Sequence, residues 1–256
     1  MTGVWPLALG AFVVGLALGS FLNVCALRWP QDESVVRPPS RCPACGEGVS
    51  WYDNVPVLSW LLLRGRCRSC GEGISAQYPL VELVTGLAWG GSVLLHGPEL
   101  EALRGALFLT ILLGIAVSDA RFYIIPDQFT LGGTALGLIL ALGTPAIGIE
   151  QALAGAVAGF GLLWFTAWAG EKVFKKEAMG GGDIKMMALI GAFLGIQGVF
   201  LGLFLAAFLG AVIFGPISIR TGKLVPFGIF LAAGAAVTYA WGDLLVGWYM
   251  AWAFGV

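Results

Sequence analysis

The chain has 256 residues and a formal net charge of −1, and it is 58% hydrophobic with only 11% charged residues, against the roughly 25% charge of a soluble domain. That composition excludes an ordinary soluble globular protein and, with no basic tail, a nucleic-acid binder. The 39 glycines and 10 tryptophans suit close helix packing and interfacial anchoring in a bilayer.

Apolar runs near the roughly 20 residues a bilayer requires place spans at 7–27, 79–95, 102–118, 128–143, 150–170, 185–196, 198–218 and 227–252. The expected fold is all-α and polytopic: a first transmembrane helix in 1–27, a small zinc-binding insert in 28–78, and a seven-helix membrane core in 79–256. Residues 185–218 are nearly one apolar stretch, too long for a single crossing, and are read as a tight hairpin around Gln197. The first run lacks a basic segment before it and an A-x-A site after it, so it is read as a retained anchor.

Eight spans sort the 14 Lys and Arg residues unevenly. All of them except Arg104 fall on one side: Arg28, Arg37, Arg41, Arg64, Arg66, Arg68, Arg121, Lys172, Lys175, Lys176, Lys185, Arg220 and Lys223. The rich side is expected to be cytoplasmic, with both termini outside. Fusing the sixth and seventh spans would throw Arg220 and Lys223 to the wrong side.

The insert holds four of the five cysteines, in "CPACGEGVS" and "CRSCGEGIS". Cys42 with Cys45 and Cys67 with Cys70 have the spacing of two zinc knuckles, and four thiolates leave no open position for water, so a structural Zn²⁺ is expected. Two disulfides are the alternative, but they belong to an oxidising compartment. The glycine after each second cysteine is expected at positive φ, turning backbone amides toward sulfur.

Acids near hydrocarbon are costly, which singles out Glu82, Asp119, Asp127 and Asp183. Asp119 ends the third span and Asp183 opens the sixth, at the same face, so the two can meet. Two close carboxyls share one proton: the charged member deprotonates a water that attacks an amide while the protonated one donates to it. Gly180, Gly181 and Gly182 beside Asp183 are expected to leave backbone open as a docking edge for an extended peptide. Lys185 is either a substrate or lipid contact or an inside-positive flank. Asp127, after Pro126, is read as a helix N-cap. Capping for Asp183 and pairing with Arg121 for Asp119 remain open. Glu82 is either a contact for substrate amine or methyl donor, or an acid favoured near a helix start. Asn23 is read as a bond to a neighbouring helix and Cys25 as a buried free thiol. His96, the only histidine, lies in an outside loop, against a His-dependent hydrolase.

The stretches "GSFLNVCALRWP", "SWYDNVPVLSWLLLRGRCRSCG", "QYPLVELVTG", "DARFYIIPDQFTL", "EAMGGGDIKMMALIGAFLG" and "VPFGIFLAAGA" together resemble the type IV prepilin peptidases, nearly end to end. The resemblance implies a polytopic aspartic endopeptidase of the bacterial inner membrane, with Asp183 of the G-x-G-D stretch and Asp119 as its catalytic pair. It implies removal of the leader of type IV prepilins or type II secretion pseudopilins after a glycine, on the cytoplasmic side, followed by N-methylation from S-adenosylmethionine. The cysteine-bearing insert looks like that of the bifunctional, longer members. "VSDARF" lacks the usual apolar residue before the aspartate, and "PFGIF" has isoleucine where proline is common. Competing readings are a peptidase without methyl transfer, an ion-coupled transporter, disfavoured by the absence of an internal repeat and of midplane acids, and a non-catalytic assembly scaffold.

Overall fold

The computed structural model describes residues 3–176, 179–215, 217 and 226–255. Arg220 and Lys223, two of the residues used for orientation, lie outside the described residues. Among the described residues eight α-helices run in chain order: α1 Val4–Arg28, α2 Leu58–Leu62, α3 Gln77–His96, α4 Leu100–Phe122, α5 Asp127–Ala141, α6 Ile149–Phe174, α7 Gly181–Ile213 and α8 Phe227–Phe254. Among the described residues there is no strand, only the isolated bridges Arg41 to Gly48 and Arg66 to Gly73. The protein is all-α and multi-pass.

The punctuation is chemical. Gly97 at φ 72° ends α3 ahead of Pro98, Pro126 precedes α5 and Pro226 precedes α8, where a missing N–H costs nothing and the fixed φ prepares the first turn. Among the described residues six helices are long and apolar enough to cross a bilayer, so the expected count of eight is not reached on that measure. One reason is α5, only 15 residues long. The other is α7, whose 33 residues are interrupted at Gly195 (φ 67°, ψ −171°). A Cβ on Gly202 would lie 3.8 Å from Ile190 Cγ2, yet a straight helix would separate residues twelve apart by about 18 Å. The chain therefore doubles back at Gly195, and the expected hairpin is present with its turn two residues earlier than Gln197.

Contacts divide the chain into Met1–Gly114 and Ile115–Val256. In the first unit α1 packs on α3 through glycine: a Cβ on Gly15 would meet Gly86 Cα at 2.8 Å, and one on Gly19 would meet Glu82 Cα at 2.6 Å. Buried Asn23 donates to Gly19 O and Tyr78 O, both at 3.2 Å, which ties the two helices as the sequence suggested. In the second unit Gly155 of α6 faces the backbone of Gly191 and Gly195 of α7, and Gly159 faces Met187. Without a hydrophobic drive between helices in lipid, such small-residue seams supply the close packing. Met186, Met187, Leu189, Ile190 and Leu231 are fully buried there.

Candidate functional sites

The insert, in the first unit, is built from two copies of one turn. Cys42 N–H donates to Glu47 O at 2.9 Å and Gly46 N–H to Cys42 O at 2.9 Å; in the second copy Cys67 N–H donates to Glu72 O at 2.8 Å and Gly71 N–H to Cys67 O at 3.0 Å. Gly46 and Gly71 stand at φ 73° and 74°, the left-handed region where a side chain is disfavoured. The four sulfurs lie within 4.8 Å of one another, none is in a disulfide, and Cys42 Sγ is 3.8 Å from Cys70 Sγ. Tetrahedral ligands about 2.3 Å from Zn²⁺ sit about 3.8 Å apart, so the donor set and its spacing fit that ion.

The amides of Cys45 and Ala44, facing its sulfur, bring the Cys42 thiol down to about 7. Cys70 is pushed up to about 12: the Glu72 amide favours its thiolate, but desolvation and the neighbouring sulfurs of Cys45, Cys67 and Cys42 outweigh it. Four sulfurs this close cannot all ionise without a cation among them. Around them, Arg68 grips Asp53 in a fork, Nη2 to Oδ1 at 2.6 Å and Nε to Oδ2 at 2.8 Å, and this bond holds the Asp53 carboxyl below the usual range. The Arg68 guanidinium also lies over the Tyr52 ring. Trp60 donates to Ile74 O at 3.0 Å, and its ring covers Gly65.

Glu82 is buried in α3, and its Oε2 accepts the Val57 amide at 2.7 Å. Val57 is itself unusual, a β-branched residue at φ 60°, ψ −50°, with Leu58 N–H reaching back to Pro56 O at 2.5 Å. That is the rare, strained form of γ-turn. The carboxylate clamps a strained loop, a job the sequence gave no sign of.

The second unit assembles the acids. Asp119, in the last turn of α4, is 5% exposed, and its Oδ2 accepts the Ile229 amide at 3.1 Å. The Gly228 amide also faces it, so Asp119 sits on the open N-terminus of α8, whose first amides lack intrahelical partners. Gly228 has no room for a side chain: a Cβ would lie 2.8 Å from Asp119 Oδ2 and 2.7 Å from Ile125 Cδ1. On its other side Ile125 abuts Gly182, with 2.9 Å from Ile125 Cβ to a Cβ built there. Asp183, one residue on, is close enough for its carboxyl and that of Asp119 to interact electrostatically. Asp183 Oδ1 is buried without a hydrogen-bond partner among the described residues.

Three expectations are corrected here. Asp127 is not an N-cap: Pro126 holds that position, no side chain caps α5, and Asp127 instead pairs with Lys185, whose Nζ reaches Oδ1 at 2.7 Å and Oδ2 at 2.8 Å. Lys185 is thus engaged with a neighbouring carboxylate, because the start of α5 lies beside the first turn of α7. The glycines do not form an extended edge: only Gly180 is extended, at φ −69°, ψ 140°, while Gly181 and Gly182 are already helical. What they leave open is the amides of a first turn. Neither open alternative for the two acids is seen, since no side-chain bond from Asp183 caps α7 and the described ion pairs do not join Asp119 to Arg121. Gly228, Ile229 and Ile125 escaped the sequence reading; a glycine two residues past a helix-starting proline was the available sign.

Residues 13–96 match the model of the bacterial peptidase A24 N-terminal domain, and residues 106–215 that of the type IV leader peptidase family. A prepilin leader peptidase/N-methyltransferase of Aeromonas hydrophila is 36% identical over 93% of this chain and 92% of its own length. One of Pectobacterium carotovorum subsp. carotovorum is 40% identical over 90% and 91%, and one of Myxococcus xanthus (strain DK1622) 41% identical over 84% and 64%. No solved structure matches.

Proposed function

Because this chain belongs to the type IV leader peptidase family, we propose that it removes the leader of type IV prepilins or type II secretion pseudopilins after a glycine and then N-methylates the new amino terminus. The observation that carries the peptidase reading is Asp183 Oδ1, buried and unpartnered, beside a carboxylate that backbone amides already hold.

The two acids have unlike surroundings, which supports unlike roles. Asp119 rests on the start of α8, where hydrogen bonds and the helix dipole favour the ionised form; it is the base that takes a proton from the attacking water. Asp183 has no donor to its buried oxygen, so it carries the shared proton and gives it to the scissile carbonyl oxygen. The tetrahedral intermediate then collapses as the proton taken by Asp119 passes to the leaving nitrogen and Asp183 takes a proton back from the intermediate's hydroxyl, which restores the shared proton. The amides at the start of α7, with extended Gly180 before them, lie beside Asp183 and receive the unwound peptide backbone. Gly228 keeps Asp119 in place by leaving it space.

Cys42, Cys45, Cys67 and Cys70 are the proposed holders of a structural Zn²⁺, which supplies the cross-link for an insert too small to fold on a core of its own. S-adenosylmethionine is the proposed methyl donor, supported by the names of the relatives. The Lys and Arg distribution supports a bacterial inner-membrane orientation with outside termini, and with the insert and both acids on the cytoplasmic face.

The test incubates the purified full chain with a prepilin, with and without S-adenosylmethionine, and weighs the products. Leader loss in both arms and one added methyl only with the donor is expected. An uncut prepilin, or leader loss that survives in Asp183→Asn, overturns the assignment.

A further inference from the structure

α3 is 20 residues long, about 30 Å, which is the whole thickness of a hydrocarbon core. Its first residue, Gln77, therefore stands at the water boundary, and Glu82 lies about 7 Å inside it. Yet Glu82 holds the Val57 amide at 2.7 Å, so the start of α2 is carried down to that depth. α1 says the same. Gly19, nine residues above Arg28, touches the backbone of Glu82, and a cavity of about 320 Å³ is lined by Ala17, Val24 and Arg28 of α1 together with Val36, Pro38 and Pro56 of the insert. Ala17 and Arg28 are about 16 Å apart along the helix, so the insert runs alongside the membrane-depth part of α1.

What the insert exposes there is apolar. Leu58, Leu61 and Leu62 are 54%, 59% and 74% exposed, and Trp51 is 83% exposed. Arg64 and Arg66 follow directly and are exposed in their turn. An apolar face next to cationic side chains, hung between two membrane spans at headgroup depth, matches an anionic leaflet in both hydrophobicity and charge.

We propose that the insert is seated in the membrane surface, with Leu58, Leu61 and Leu62 of α2 inserted among acyl chains and Arg64 and Arg66 against anionic phospholipid headgroups. The strained Val57 turn, clamped by Glu82, is the bend that aims α2 into the leaflet.

The full, zinc-loaded chain is placed in nanodiscs containing phosphatidylglycerol with a photoactivatable acyl chain, and labelled peptides are mapped by mass. The peptide spanning residues 57–64 is expected to take label at least about fivefold above the knuckle peptide around residues 42–50, and to approach the lipid-facing peptides of α3. Leu61→Glu with Leu62→Glu removes that label while zinc content is kept. Should this variant lose zinc, Arg64→Gln with Arg66→Gln provides the second reading: its label falls at least about twofold in discs rich in phosphatidylglycerol and stays level in phosphatidylcholine discs carrying only a trace of the photoactivatable lipid. Labelling of residues 57–64 no higher than that of the knuckle overturns the proposal, as does an arginine variant whose label is unchanged in both discs. So does protection of α2 that appears only when another protein is added.

Discussion

Cys42, Cys45, Cys67 and Cys70 come from two copies of one turn, each closed by its own backbone bonds and its own positive-φ glycine. Asp119 and Asp183 are 64 positions apart in the chain, and they reach each other only through Ile125 and the start of α8. The first arrangement is local, so its geometry follows from spacing and suits a cation that would lock it. The second is borrowed from packing: each acid keeps its place because a neighbour leaves room or offers an amide. A local site fails when its ligands change, whereas a packed site fails when its surroundings do.

That contrast is open to attack at several points. Asp119→Asn or Asp183→Asn is expected to lower prepilin cleavage by about 10²- to 10⁴-fold with zinc content unchanged, checked by product mass and metal analysis. Cys67→Ser has the complementary outcome: about one zinc per chain is lost and the insert becomes sensitive to protease, because metal binding is its folding energy, while protease leaves the core of residues 115–256 uncut. Gly228→Ala replaces no proposed catalytic group, yet a Cβ there would press on Asp119; a displacement near 1 Å costs about 10² in rate, so kcat is expected to fall with zinc and thermal stability nearly intact. A Gly228→Ala enzyme with wild-type rates would break the claim that packing sets this site.

Smaller effects sharpen it further. Glu82→Gln replaces a charge-assisted bond to the Val57 amide with a neutral one and is expected to destabilise the insert by about 1–2 kcal/mol, read as faster amide exchange in residues 57–63. Lys185→Met removes a partly exposed ion pair with Asp127, worth about 0–1 kcal/mol. Its cleavage rate is expected within about threefold of wild type; a much larger loss returns Lys185 to the substrate.

The candidate metal ligands were legible because two C-x-x-C-G-E-G copies state both the donors and the turn that aims them. The acids were legible as types at a depth, since carboxylates at the edge of hydrocarbon are too costly to be idle. Their supports were not. Nothing local in "PDQF" tells that Asp127 takes Lys185 in place of a capping role, because that depends on where α5 and α7 come together. The glycines before Asp183 read as an open docking edge, but the helix begins at Gly181, where first-turn packing against Ile125 outweighs glycine's cost in a helix. The eight-span reading relied on apolar runs, and such runs measure hydrophobicity without saying where a helix stops; α5 stops after 15 residues.

By itself the amino-acid order determined the class of the protein, the punctuation of its helices, the cysteine quartet and the identity of the two acids, because each of these rests on composition, periodicity or short-range spacing. Only the tertiary structure decided which acid lies on a helix start, what Glu82 and Lys185 hold, and where α7 turns back. Those are settled by contacts between segments far apart in the chain, where the space left by one glycine or the direction of one amide depends on every helix packed around it.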